Sequence, residues 1–220
     1  MNSAARQDCA FCDKFGNLET HSRAWYDAEL LHSGEFVVVP ALGALAAGHL
    51  MILTRSHYPN MGCLLEGDLM RLSSLLRRIR DVVSAAYGDV VAFEHGPALS
   101  AYGGGSCIDH AHLQVLPLSV SGDLLPRLSE KCDFRPMDDI SVLSQIGLRN
   151  LPYVFFQDQR ERMFICQPAN VPSQYLRRVI AEELGRPDQW DYALFPNLDF
   201  IDATISRLRP LLMHLIREPI

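Results

Sequence analysis

No stretch of this 220-residue chain has the uninterrupted apolar length needed to cross a bilayer, and the opening "MNSAARQDCAFCDKFG" holds no apolar run of signal-peptide length. A cytoplasmic protein with no membrane partner is the expectation. Positive charge is short as well: 20 Lys and Arg face 26 Asp and Glu, a formal net charge of −6. That balance argues against a broad grip on a nucleic acid polymer and leaves room for a local basic pocket around one phosphate chain. Low-complexity segments and internal repeats are missing. The six cysteines need no pairing in a reducing compartment, so Cys63, Cys132 and Cys166 are expected to be buried thiols.

What is present is a globular composition, 48% apolar, enough for one sizeable domain or a domain with a substantial appendage. "GEFVVVPALGALAAGHLMILTRSH" reads as a hairpin of two strands, roughly Glu35–Val39 and His49–Thr54, rich in Val, Ile and Leu. Leu65, Leu69, Leu72, Leu76, Ile79 and Val83 recur at helical steps, and the pattern stops at Gly88. "DVVAFEHG" reads as a strand, "PALSAYGGGS" as a loop and "HAHLQVL" as another strand. The texture changes after Pro117, which places a soft boundary near residue 122. Beyond it "PLSVSGDLLPRLSEKCDFRPMDD" offers only a weak helix, and "PYVFFQDQRERMFICQ" reads as a hairpin. "PSQYLRRVIAEELG" and "DFIDATISRLRPLLMHLIREP" read as helices, the second kinked or broken at Pro210.

The most informative stretch is "GGGSCIDHAHLQVLP". In an extended strand His110, His112 and Gln114 share one face, while Ala111, Leu113 and Val115 share the other. The preceding glycines, Gly105 among them, expose backbone N–H groups able to cradle a phosphate, and Ser106 adds a hydroxyl. Two satisfied histidines on a half-exposed strand is the plain alternative. "CAFC" is a Cys-x-x-Cys pair, open between metal, redox chemistry and chance, although nothing around it looks like a thioredoxin βαβ unit.

"DHAHLQVLP" resembles the signature of the histidine triad superfamily, with Gln114 in place of the third histidine, as in the branch that includes galactose-1-phosphate uridylyltransferases and diadenosine polyphosphate phosphorylases. "GHLMILTRSHY" is similar to the family's Gly-His strand followed by a basic residue and a second histidine. "FEHG" is similar to the uridylyltransferase pattern Phe-Glu-Asn-x-Gly, with His95 in place of Asn. The resemblance covers about residues 9 to 117. It implies an α+β fold: an antiparallel sheet of about five strands with a long helix, commonly paired into a homodimer. Residues 1–122 would be the catalytic domain and 123–220 a C-terminal extension with a hairpin and helices.

The resemblance further implies that His112 attacks the α-phosphorus of a nucleotide or nucleotide sugar and holds it as a nucleotidyl-histidine, which an acceptor then discharges. Neutral imidazole is nucleophilic near pH 7, and splitting the transfer in two lets one pocket serve two partners. Gln114 can donate to a non-bridging phosphate oxygen, yet it cannot deliver a proton to a leaving group. Transfer to phosphate or to a phosphorylated acceptor is therefore the leading expectation. The alternatives are a hydrolase of dinucleoside polyphosphates or nucleotide conjugates, and a non-catalytic nucleotide-binding protein. His49 is expected to act as a phosphate contact or as a support behind the reacting groups. Glu94, His95, Arg55 and Cys107 join Gly105 and Ser106 as nucleotide or phosphate contacts; for Glu94 and His95 a solvated pair, for Arg55 a plain surface arginine and for Cys107 a small buried hydrophobe are the alternatives. Carried over residue by residue, Cys9, Cys12, His57 and His110 would bind a structural Zn2+, with His21 and His32 as rival ligands. Trp190 and Tyr192 are stacking candidates should the C-terminal part cover the acceptor site, core packing being the alternative.

Overall fold

The computed structural model describes residues 9–16, 24–98, 110–118, 122–167 and 171–215. β1 (Leu31–Ser33), β2 (Phe36–Pro40) and β3 (Leu50–Thr54) run as an antiparallel meander, followed by the long helix α1 (Glu66–Tyr87) and then β4 (Val90–Gly96) and β5 (His112–Pro117). The C-terminal part adds α2 (Leu125–Leu128), β6 (Arg135–Met137), α3 (Val142–Leu148), β7 (Tyr153–Gln157), β8 (Met163–Cys166), α4 (Tyr175–Glu183) and α5 (Leu198–Leu215).

The fold is α+β, and the strands before residue 118 form the expected five-stranded set in the order β1-β2-β3-β5-β4. The sheet does not stop there. β7 adds antiparallel to β4, from Ala92 opposite Gln157 to Gly96 opposite Tyr153, and the complete order is β1-β2-β3-β5-β4-β7-β8-β6, eight strands rather than about five. "YVFFQ" is buried at every position, so it is stable only as an interior strand with both faces covered. Its side chains alternate into two clusters, Tyr153 and Phe155 on one face and Val154 and Phe156 on the other. The outer edge of β4 is thereby occupied, and a second copy of the chain has no access to it.

One face of the sheet packs on α1 and α5. Leu69, Leu72, Leu75, Leu76, Ile79 and Val83 of α1 meet Leu50, Ile52, Ala92, Ala111, Leu113 and Val115 of the sheet, with Leu208 and Leu212 of α5 at the margin. Leu65, placed by its spacing in that stripe, caps the helix instead and is 77% exposed. α1 ends where Gly88 takes φ +92, a left-handed stop that favours glycine. α5 continues through Pro210 rather than breaking there. Pro210 lies on the exposed side, where the carbonyl freed by its missing N–H faces water.

The opposite face is covered in two separate patches. Phe11 and Phe15 of the N-terminal segment cover Val37, Val39, Met51 and Leu53. Leu176, Val179 and Ile180 of α4 cover Val91, Phe93, Leu116, Val154 and Phe156. β5 runs between β3, under the first patch, and β4, under the second, so His112 and Gln114 form a half-buried polar column between two apolar clusters.

Cys132 and Cys166 are buried as expected but joined in a disulfide, with Cα atoms 6.0 Å apart. The expectation of free thiols rested on compartment, which carries no information about which cysteines packing brings together. Cys9, Cys12 and Cys63 take no part in a disulfide, and Cys63 is partly rather than fully buried. No helix among the described residues is long and apolar enough to cross a membrane.

Candidate active site and metal centre

β5 and the two residues before it carry the site. His110 precedes the strand in a bend, held by Thr54 N–H on the Ala111 carbonyl (3.3 Å) and Ala111 N–H on the Tyr58 carbonyl (2.6 Å). His110 Nε2 donates to the Thr54 carbonyl at 2.7 Å. A carbonyl only accepts, so that bond fixes the proton on Nε2 and leaves Nδ1 as the nitrogen that carries a lone pair. Nδ1 lies 3.4 Å from Cys9 Sγ and 3.7 Å from Cys12 Sγ, and Cys12 Sγ lies 3.3 Å from His57 Nδ1.

The four ligand atoms of Cys9, Cys12, His57 and His110 all fall within 4.8 Å of one another. With Zn–S near 2.3 Å and Zn–N near 2.0–2.1 Å, the edges of a zinc tetrahedron are about 3.3–3.8 Å. The separations of 3.3, 3.4 and 3.7 Å match those edges, and two thiolates with two imidazoles are a closed structural donor set. The cluster is therefore able to hold a metal ion, and the donors fit zinc. Of the rival ligands, His32 bonds to the Gly34 carbonyl at 3.0 Å, and His21 lies outside the described residues.

His112 points its Nδ1 at the carbonyl of His110, 2.7 Å away. The same reasoning puts the proton on Nδ1 and leaves the lone pair on Nε2. Burial holds the imidazole below the usual histidine range and the positive charge of Arg177 adds to that, partly offset by the His110 carbonyl. His112 is thus neutral at pH 7, with one nitrogen available to an electrophile. Phe11 lies beside it, ring centroids 6.3 Å apart.

Gln114 offers its Oε1 to His49 Nε2 at 3.0 Å and to Arg177 Nη1 at 3.3 Å. His49 is fully buried and accepts the Leu45 N–H on Nδ1 at 3.1 Å, so both its nitrogens are engaged within the chain. Burial first, and Arg177 second, hold it well below the ordinary histidine range. It stands behind Gln114 rather than open to a phosphate.

His95 shares the face of Phe93 on β4 and therefore that of His112 and Gln114. Its Nδ1 is buried with no hydrogen-bond partner among the described residues, and burial together with His112 lowers its affinity for a proton. Both terminal nitrogens of Arg55, just beyond β3, are likewise buried without a partner. Glu94 is not brought to His112, because alternation along β4 sends it to the α1 face. There its carboxylate accepts the Met61 N–H at 2.8 Å and the Tyr153 hydroxyl at 2.5 Å. Burial pushes its pKa up to about 7. Gly105, Ser106 and Cys107 lie outside the described residues.

Arg177 was not foreseen. It comes from α4, 63 positions beyond Gln114, and no motif marks it. The one available signal was an arginine on the apolar side of an amphipathic helix, a position where charge needs partners.

No family model matches the chain, and no curated protein does. Among solved structures it is similar to yeast Ap4A phosphorylase Apa2, at 12% identity over 80% of this chain and 73% of that one, TM-score 0.44. It is similar to a Zn-bound histidine triad family protein from Mycobacterium smegmatis at 16% identity, over 65% of this chain and 92% of that one, TM-score 0.41. A HIT family protein from Bacillus anthracis is 15% identical over 50% of this chain and 73% of that one, TM-score 0.41.

Proposed function

We propose that the protein processes nucleotides through a covalent intermediate on His112 and passes the nucleotidyl group to phosphate or to a phosphorylated acceptor. The observation that carries the reading is the 2.7 Å bond from His112 Nδ1 to the His110 carbonyl. It reserves Nε2 for in-line attack on a phosphorus, so that a P–N bond forms as the P–O bond to the leaving phosphate breaks. The nucleotide class comes from the resemblance of "DHAHLQVLP" to the triad signature.

Gln114 supports transfer over hydrolysis of poor leaving groups. Its oxygen is tied to His49 and Arg177, which leaves the NH2 group to meet a non-bridging phosphate oxygen. An amide stabilises charge there and lends no proton, so the leaving group must already be a stable anion. His95 and Arg55 stand as phosphate contacts in this reading, on their buried nitrogens without partners. Zinc bound to Cys9, Cys12, His57 and His110 would supply folding free energy by tying the N-terminal segment to β5, and it would not take part in the transfer.

The test is product analysis with a dinucleoside polyphosphate and inorganic phosphate. With a dinucleoside tetraphosphate the leaving group is a nucleoside triphosphate in either case; transfer of the held nucleotidyl group to phosphate then yields a nucleoside diphosphate, and its hydrolysis yields a monophosphate. A diphosphate that forms only when phosphate is present supports the reading. Monophosphate at a rate independent of phosphate would replace it with the hydrolase.

A further inference from the structure

The C-terminal part of the chain holds the site from behind. Arg177 is buried, 5% exposed, and spreads its guanidinium over three acceptors: the Gly43 carbonyl through Nη2 (2.5 Å), the Trp190 carbonyl through Nε (2.9 Å) and Gln114 Oε1 through Nη1 (3.3 Å). The segment 41–49, which carries His49, is clasped by the same part of the chain. Gly43 N–H donates to the Pro196 carbonyl at 3.0 Å and Asn197 to the Ala44 carbonyl at 2.9 Å. Arg186 donates to the Leu45 carbonyl and Gly48 N–H to Thr204 Oγ1, both at 2.7 Å.

An amide oxygen has two lone pairs. Gln114 spends both on obligate donors: arginine has no acceptor, and the Leu45 N–H on His49 Nδ1 leaves His49 with its proton on Nε2. The amide cannot turn over without setting its NH2 group against the Arg177 cation and the His49 N–H. We propose, on the functional reading above, that Arg177 is a positioning residue. It fixes Gln114 as a one-way hydrogen-bond donor to the phosphate under attack and makes the C-terminal part an integral piece of the site.

The test uses the full chain and single-turnover transfer from a dinucleoside polyphosphate to phosphate. Arg177→Met is expected to lower the rate at least ~10-fold, the worth of one charge-assisted hydrogen bond. In a Gln114→Ala background the same change is expected to cost less than ~2-fold, because the residue it positions is gone. Losses that multiply across the two backgrounds would overturn the proposal. Should Arg177→Met fail to fold, Gln114→Glu decides. A carboxylate keeps both bonds to Arg177 and His49 but faces the phosphate with an acceptor, so the variant should fold at least as stably as Gln114→Ala and transfer more slowly. A Gln114→Glu enzyme as fast as wild type would overturn the proposal. If wild type turns over no donor, the functional reading fails separately, and NMR then reads the positioning. The Gln114 side-chain amide pair, assigned by its loss in Gln114→Ala, should resonate away from the free-glutamine position, because its oxygen accepts two bonds, and should shift in Arg177→Lys. A pair at the free-glutamine position that does not move in Arg177→Lys would overturn it.

Discussion

Glu94→Gln tests the buried pair behind β4. Glu94 is 2% exposed, its carboxylate contacts Met61 N–H and the Tyr153 hydroxyl, and burial raises its pKa from the ordinary 4.5 to about 7. A carboxyl whose folded value exceeds its unfolded value is protonated by folding, so the stability it lends is complete below pH 4.5 and lost as pH rises through about 7. At 1.36 kcal/mol per unit, the loss by pH 8 is about 3 kcal/mol, an order-of-magnitude figure. Glutamine keeps an acceptor for Met61 and carries no charge at any pH. In urea unfolding followed by tryptophan fluorescence, the stability of Glu94→Gln relative to wild type should therefore rise by about 3 kcal/mol between pH 4.5 and pH 8. Groups common to both proteins, the metal ligands included, cancel in that difference. A difference that is flat with pH, or that falls as pH rises, would refute the assignment of a costly buried carboxylate.

Other outcomes follow from the same structure. Purified protein should carry one zinc per chain by elemental analysis. Zinc at about 100-fold its Kd should contribute about 3 kcal/mol, roughly 5–10 °C in Tm, removed by a chelator and missing in Cys12→Ser. Gly43 sits at φ +67, and a Cβ there would lie 2.4 Å from the Tyr192 Cα, so Gly43→Ala should cost more than ~2 kcal/mol in urea unfolding. Thr204 is fully buried and its hydroxyl both accepts the Gly48 N–H at 2.7 Å and donates to the Phe200 carbonyl at 2.6 Å. The near-isosteric Thr204→Val should cost about 1–3 kcal/mol in the same assay, because the Gly48 N–H is left buried without an acceptor.

Much of the first half was legible because its signals are local. The apolar run of β3, the stripe of α1 and the alternation around His112 each report on neighbours a few residues away, and β2, β3, α1, β4 and β5 fall where those patterns lie. β1 and β6, three residues each, are too short to show a period. The hairpin of β7 and β8 was legible as a hairpin, but its pairing with β4 was not, since edge choice depends on which surfaces remain unburied once the first five strands close. The fully buried "YVFFQ" hinted at an interior strand without naming its neighbour. At the site, the set Cys9, Cys12, His57 and His110 came from the family resemblance, the Cys-x-x-Cys pair alone being ambiguous, and the structure brings the four together. The acceptors that set each tautomer, Thr54 O for His110 and His110 O for His112, are backbone atoms that no residue letter encodes. Arg177 is invisible for a related reason: its contact to Gln114 spans 63 positions and the packing of α4 on the sheet.

The central claim is that His112 Nε2 becomes bonded to phosphorus. Intact-protein mass at neutral pH, after brief exposure to a panel of nucleoside-diphosphate sugars and dinucleoside polyphosphates, reads this directly, with tandem fragmentation to locate the adduct. The expected result is one nucleotidyl mass added to wild type, placed on His112, lost on addition of phosphate or a phosphorylated acceptor, and missing in His112→Asn. An adduct on another residue would contradict the account, as would rapid turnover in His112→Asn.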